Sequence, residues 1–211
     1  MAQSDLDIIN EAMALLGTRA ITSRTQGITE AREADRHFNH SRDEVLRSHA
    51  WSSATKRDKL NRLAATDSRI ASLHDYDYGY VLPADYVRMS PQCQLWGQFR
   101  IEGRVLVTSV DEANIVYISN EEGYYSSDPL LTSAIAALLA SKIAMAIKGD
   151  MSLKRDLYAL YQETLDEARY ISDVDGGTGD SMAFNHYVQG GFNNPRQSFI
   201  RNDLIGGEHG P

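Results

Sequence analysis

A cluster of acidic and aromatic residues near the middle of the chain is the first candidate for chemistry. His74, Asp75 and Asp77 stand beside tyrosines at positions 76, 78 and 80. Carboxylate and imidazole groups can hold a divalent ion and present it to a substrate. No second group of carboxylates accompanies this cluster to complete a metal shell. The pattern favours the entry to a β-strand with solvent-facing acids, and a metal-dependent hydrolase is the alternative.

Two histidines three residues apart, His37 and His40, lie in a segment with helical periodicity. A zinc hydrolase motif needs a general-base Glu between its histidines and a third ligand elsewhere. The intervening residues contain no Glu, and no third ligand is evident. We therefore interpret both histidines as side chains on the polar face of a helix.

Residues 173–180, with the sequence DVDGGTGD, resemble a calcium-binding loop at first sight. An EF-hand loop needs Gly at its sixth position and a closing Glu, whereas Gly176 is fourth and no Glu follows. The same glycines do not follow a strand, so they do not match a dinucleotide-binding loop. A flexible acidic turn is the simpler interpretation. The sequence therefore predicts no catalytic residue, no metal and no cofactor.

The charge balance argues against tight binding to nucleic acid. Lys plus Arg number 21 and Asp plus Glu number 29, which gives a net charge of -8. Proteins that hold phosphate backbones by charge usually carry the opposite excess. A single cysteine, Cys93, excludes an intramolecular disulfide and suits a reducing cytosol. Asp5, Asp7 and Glu11 stand where a signal peptide needs positive charge, so secretion by that route is not expected.

Apolar residues that recur every three or four positions predict four helices. Asp128 and Pro129 begin the third helix, and Gly149 ends it. Apolar side chains cover most of its circumference, so we expect a core helix rather than a membrane span. The predicted helices span residues 4–16, 28–51, 129–148 and 151–172. The inward stripe of the fourth helix is predicted to be Leu153, Leu157, Leu160, Thr164, Ala168 and Ile171.

The pattern changes between about residues 76 and 120 to short runs of β-branched and aromatic residues separated by turn residues. Within it, Glu102 and Gly103 stand between two such runs, as in a β-hairpin. We therefore predict a mainly α protein, a bundle of about four helices with a small inserted β subdomain. Residues 1–172 form this domain in the predicted organisation.

Residues 173–211 differ in composition from the rest of the chain. Eight of the 15 glycines lie here, with no sustained periodicity. Apolar residues nevertheless recur along the segment, which a purely solvated tail does not need. We predict an extended C-terminal docking arm that contacts a partner protein or a neighbouring subunit. The predicted interface residues are Phe184, Tyr187, Phe192, Phe199, Leu204 and Ile205.

Five stretches, taken in order, resemble the tail tubular protein A family, the head-to-tail adaptors of short-tailed bacteriophages. They are NEAMALLGTRAITS at 10–23, RDEVLRSHAWSSATKRDKL at 42–60, YGYVLPADYVRM at 78–89, FRIEGRVLV at 99–107 and DPLLTSAIAALLASKIAMAIKGD at 128–150. The sequence LYQETLDEA at 160–168 continues the likeness, which covers about residues 5–172.

The most specific elements of the resemblance are the Arg-Asp stretch that ends at Trp51 and the Leu-Pro-x-Asp turn at 82–85. The chain departs from the family pattern beside that tryptophan. Ala50 stands where the family often has Pro, and Ser52 and Ser53 stand where it often has Asn-Phe.

The resemblance implies a structural virion protein and not an enzyme. Family members form a dodecameric ring between the portal protein and the tail nozzle, a tail tubular protein B-like protein, and tail fibres are a further candidate partner. The genome passes through the ring, so DNA is expected to cross it without specific binding, and no membrane is involved. The implied location is the virion, after synthesis in the host cytoplasm. An acidic balance suits such a channel because a basic lining would hold DNA.

Two other interpretations stay open on the sequence alone. One is a metal-dependent hydrolase component of the tail that uses the Asp75 and Asp77 region, and the other is a soluble helical protein-interaction module. Binding of a divalent ion would favour the hydrolase. Assembly on a portal ring would distinguish the adaptor from the interaction module.

Overall fold

The computed structural model describes residues 3–64, 66–70, 75–95 and 99–177. Its helices are α1 (Asp5–Leu15), α2 (Thr29–Ser48), α3 (Glu122–Tyr125), α4 (Pro129–Lys148) and α5 (Met151–Asp175). Its strands are β1 (Thr55–Lys59), β2 (Asn61–Arg62), β3 (Tyr78–Val81), β4 (Tyr86–Met89), β5 (Phe99–Glu102), β6 (Val105–Thr108) and β7 (Asn114–Ser119).

The fold is mixed α and β, so the prediction of a mainly α bundle with a small inserted β subdomain is wrong. Helices hold 48% of the described residues and strands 17%, in two antiparallel sheets. One reason for the error is β1, which precedes the predicted β region and pairs along its whole length with β7. The β1 sequence, TKRDK, is dominated by charged residues that are depleted in strands.

The first sheet lies between the helices and the second sheet. Its strand order is β1-β7-β4, and that of the second sheet is β2-β3-β6-β5. Val87 of β4 and Ile118 of β7 are buried with the helices in the main core. Ile115 and Tyr117, on the opposite face of β7, are buried with Leu106 of the second sheet. The first sheet is therefore a layer shared by two cores and not an appendage of the bundle.

The chain between β2 and β3 covers the outer face of the second sheet. Leu63, Val105 and Val107 are buried together there, and Ile70 packs against them. A Cβ atom at Gly79 would collide with the Ile70 side chain, so this close approach requires glycine. A third, small core thus completes the layered arrangement.

Helix α4 is enclosed by α1, α2 and α5. The Asp128 carboxylate caps it by accepting from the backbone N–H groups of Leu130 and Leu131, at 3.0 and 3.2 Å. Pro129 is its first residue, and Gly149 ends it with φ 67°, a left-handed conformation that favours glycine. These are the bounds that the sequence pattern indicates.

Among the described residues, α4 is also the helix that is long and apolar enough to cross a membrane. Length and composition alone support that interpretation. Within the structure, 67% of its most apolar stretch is buried. Burial among other helices accounts for its composition.

Two helices differ in length from their predictions. Helix α2 ends at Ser48 rather than near residue 51, because His49 adopts an extended conformation with φ -149° and ψ 167°. The buried Trp51 then packs as part of the corner that leads into β1. Helix α5 continues to Asp175, three residues beyond the predicted end.

Leu138→Asp should prevent folding. Leu138 is 2% exposed in the middle of α4, and a charge buried there without a partner costs several kcal/mol, against a total stability of about 5–15 kcal/mol. Thermal unfolding followed by circular dichroism measures the effect. Met145→Asp is the control, since it adds the same charge to α4 at a 39% exposed position and should leave the melting temperature nearly unchanged. A soluble Leu138→Asp protein that melts like the wild type would contradict the enclosed position of α4.

Candidate interaction surface

The six predicted interface residues of the arm lie beyond the described part of the chain, which ends at residue 177. They are Phe184, Tyr187, Phe192, Phe199, Leu204 and Ile205. The start of the arm differs from its prediction, because residues 173–175 continue α5. The N–H groups of Gly176 and Gly177 close the helix by donating to the carbonyls of Ser172 and Val174. The segment that resembles a calcium loop therefore begins as a helix and not as a flexible turn.

Those candidate metal ligands that the structure describes do not form a metal site. Asp75 and Asp77 are exposed, and His74 is outside the described residues. His37 and His40 lie 3.8 and 3.7 Å from glutamates one turn away on the same helix. Within residues 3–64, 66–70, 75–95 and 99–177, no group of three His, Cys, Asp or Glu side chains is arranged to hold a metal ion.

The Leu-Pro-x-Asp turn places Asp85 at the centre of a hydrogen-bond cluster, which we call the Asp85 hub. The Asp85 carboxylate accepts from Ser119 Oγ at 2.7 Å, from the Tyr117 hydroxyl at 3.1 Å and from Lys56 Nζ at 2.9 Å. The Asp85 backbone carbonyl accepts from the N–H of Asn120 at 3.0 Å. The hub therefore fixes the turn before β4 to both β1 and the end of β7.

The electrostatics of the Asp85 hub are those of a structural ion pair. Burial alone would raise the pKa of Asp85, but hydrogen bonds from Ser119 and Lys56 hold it below its usual value. Hydrogen bonds to Glu121 and Asp85 raise the pKa of Lys56, and burial raises that of Tyr117. A general acid or base needs a pKa near the working pH. These shifts move the pKa of each group away from pH 7.

A second polar cluster fixes the end of α5 to the corner between α2 and β1. The backbone N–H of Ser52 donates to Ser172 Oγ at 3.0 Å, and Ser52 Oγ donates to the Ser172 carbonyl at 2.9 Å. His49 Nε2 lies 3.1 Å from Asp173 Oδ1, a contact that is an ion pair only when the imidazole is protonated. We call His49, Ser52, Ser172 and Asp173 the α5 latch. Its partners are about 120 residues apart, so no local sequence signal predicts it.

The inward stripe predicted for α5 is partly wrong. Leu160 and Ile171, which were predicted to face the core, are 38% and 39% exposed, and Val174 is 51% exposed. The buried residues are Leu157, Tyr161, Leu165, Ala168 and Ser172. The spacing of Tyr161 and Leu165, four residues apart and both large, is the signal that would have identified the true stripe.

The misplaced Leu160 and Ile171 belong to a line of exposed and partly exposed side chains, which we call the α5 flank. Its members are Leu160, Thr164, Glu167, Ile171 and Val174, spaced alternately four and three residues apart. Residues with this spacing share one side of a helix. A shallow groove along it is lined by Leu160, Glu163, Thr164, Asp166 and Glu167. Exposed apolar side chains that lie together with polar residues at their rim are typical of a surface that binds another protein.

No protein-family model matches the chain, and no curated protein matches it. The resemblance to the tail tubular protein A family therefore depends on the five ordered stretches of the sequence. Any functional conclusion must join that resemblance to the chemistry of the surfaces just described.

The α5 latch should make stability depend on the charge of His49. Burial lowers the pKa of His49; Asp173 opposes this effect, and Arg169 and Arg88 add to it. Protonation therefore favours the unfolded chain, so the free energy of unfolding is highest above the unfolded pKa of about 6.5 and falls as the pH drops through the folded pKa. Each tenfold difference in proton affinity between the two states removes about 1.4 kcal/mol at low pH.

Chemical denaturation at pH 7.5 and pH 5 measures this dependence. His49→Gln, which does not titrate, should lose less stability between the two pH values than the wild type. His40→Gln removes a histidine whose side chain is 76% exposed and should keep the wild-type dependence. Equal pH dependence in His49→Gln and the wild type would show that the latch does not sense the charge of His49.

Proposed function

We propose that the protein is a structural virion protein, a head-to-tail adaptor of a short-tailed bacteriophage that assembles as a ring between portal and tail nozzle. The observation that carries the proposal is the α5 flank. Leu160, Ile171 and Val174 are exposed although the helices and sheets already enclose three cores without them. Exposed apolar side chains that share one side of a helix are a candidate surface for a protein partner.

The five resembling stretches identify the class of partner. They supply α1, the corner at Trp51, the turn that holds Asp85, the β5–β6 hairpin and α4. Each of these features positions the core or the hub, which explains why an adaptor subunit would keep them in this order. The resemblance is the basis for proposing that this chain forms a ring. It is also the basis for proposing the portal, the nozzle and the candidate tail fibres as its partners.

The charge of the chain supports passage of DNA rather than binding. A net charge of -8 on each copy would give a ring an acidic character, and phosphate backbones are repelled by such a surface. DNA could then slide through the ring during ejection. The same charge acts between copies, because like-charged subunits repel one another until a template fixes their positions.

The hydrolase alternative has less support. Asp75 and Asp77 are exposed and belong to no group of three metal ligands among the described residues. The two polar clusters with several titratable groups, the Asp85 hub and the α5 latch, each join separate elements of the fold. Calorimetric titration with Mg²⁺, Mn²⁺ or Ca²⁺ tests the alternative, and micromolar binding that is lost in Asp75→Asn would favour it over the adaptor.

The free protein should be largely monomeric and form a ring only on the portal. Sedimentation velocity at micromolar concentration measures the free state, and negative-stain electron microscopy of the protein mixed with the portal of its phage shows the assembled one. Charge repulsion between copies is the physical reason. A stable dodecamer without portal would contradict the templated assembly, and a portal that stays bare would contradict the adaptor itself.

A chain that ends at Gly177 should fold normally but assemble poorly. The closing hydrogen bonds of α5 and the α5 latch precede the cut, so the melting temperature should stay within a few degrees of the full-length value. Loss of the predicted anchors should weaken assembly on the portal at least about tenfold, since a few buried aromatic residues supply most of an interface's binding energy. A markedly lower melting temperature would show that the arm packs on its own core instead.

A further inference from the structure

The α5 flank exposes apolar side chains that an apolar segment of a partner could cover. Leu160 and Ile171 are more than a third exposed and Val174 about half. They lie on one side of α5, next to the buried stripe that joins this helix to α4. A partner that covers this line would extend the existing core rather than create a separate one.

The charges beside the flank require that the partner also be basic. Glu163 and Glu167 line the groove, and neither has an ion-pair partner among the described residues. Asp166 is paired with Arg169 at 3.3 Å, so the two glutamates are the carboxylates left for a ligand. Two carboxylates beside apolar side chains favour a segment that combines arginine with aromatic anchors.

The arm of this chain contains such a segment. Between Asp180 and Asp203 the sequence has no acidic residue, and it carries Arg196 and Arg201. The anchors Phe184, Tyr187, Phe192 and Phe199 lie in the same stretch. Residues 184–201 are therefore complementary to the α5 flank in both charge and apolar character.

Gly176, at the end of α5, lies on the other side of the helix from the α5 flank. Gly176 shares a groove with His49 and Arg88, on the side of the α5 latch. At about 100° per residue, Gly176 lies about 140–160° around the helix axis from Leu160, Ile171 and Val174. Leu160 also lies about 24 Å from Gly176 along the helix axis, at about 1.5 Å per residue. The arm would have to cross the helix end and turn back to reach its own flank, whereas a neighbour's flank imposes no such path.

We propose that the α5 flank of one copy is the docking site for residues 184–201 of the neighbouring copy. The seven residues from Gly177 to Phe184 span at most about 25 Å when extended, so the first anchor must bind within that distance of the end of α5. Each copy gives one arm and receives another, a head-to-tail contact that can close into a ring. The inference rests on the proposed function, because it uses the ring that function requires.

Disulfide trapping in the full-length chain tests the proposal. Cys93→Ser removes the native thiol, and Leu160→Cys is then combined with single cysteines at the anchors, Phe184→Cys, Phe192→Cys and Phe199→Cys, each on a separate copy. The two cysteine variants are mixed, and one sample is oxidised free in solution at high concentration and another after assembly on the portal. The products of both are separated on non-reducing gels. We expect at least one anchor to give a cross-linked pair at about tenfold or higher yield than the control, because docking raises the effective concentration of the two thiols.

The control is Gln162→Cys, an exposed position about 160° around α5 from Leu160. The proposal would be overturned if Leu160→Cys and Gln162→Cys gave equal yields of cross-linked product, or if Leu160→Cys gave none. A chain that carries both cysteines, at position 160 and at the best anchor, distinguishes docking within one copy from docking between copies. An internal cross-link that persists on dilution would show that the arm binds the flank of its own copy. If rings form on the portal but Leu160→Cys gives no cross-link, the docking inference is rejected and the proposed function is not. If the cross-link forms but the protein does not assemble on the portal, the proposed function is rejected and the docking inference is not.

Discussion

The burial of both faces of β7 is the constraint on which the rest of the structure depends. Ile118 packs among the helices, while Ile115 and Tyr117 pack against the second sheet. A shift of one residue along β7 would exchange these faces. It would also move the Tyr117 hydroxyl from Asp85 into the helical core, where an unpaired polar group costs about 1–3 kcal/mol. Because β1 and β4 both pair with β7, its register sets the position of the whole first sheet.

Directional hydrogen bonds complete what apolar packing leaves undetermined. Apolar contacts stabilise the layers but do not distinguish small rotations between them, whereas hydrogen bonds require a particular alignment. The Asp85 hub fixes the turn before β4 to β1 and β7, and the α5 latch fixes Ser172 to Ser52. The Asp85 hub therefore aligns parts of the first sheet. The α5 latch holds the end of α5 against the corner that leads into that sheet.

Local signals in the sequence predict the parts of the fold that local physics determines. The proline and glycine that bound α4, and the hairpin between β5 and β6, follow from backbone preferences of a few neighbouring residues. Local signals do not predict β1, because its charged residues form a strand only through pairing with β7. The same holds for the candidate site. Periodicity identifies α5 as amphipathic, and the spacing of Tyr161 and Leu165 favours the observed stripe, but packing against α4 is what buries Tyr161 and leaves Leu160 exposed.

The composition of the α5 flank would disfavour contact between two flanks in the proposed docking. Leu160, Ile171 and Val174 would attract any apolar surface, including the flank of another copy. Glu163 and Glu167 stand beside them, so two flanks that approach each other bring like charges together and are repelled. A segment with arginines and no carboxylates meets no such repulsion. In the proposed docking the acids would select the partner, whereas the apolar side chains would supply most of the binding energy.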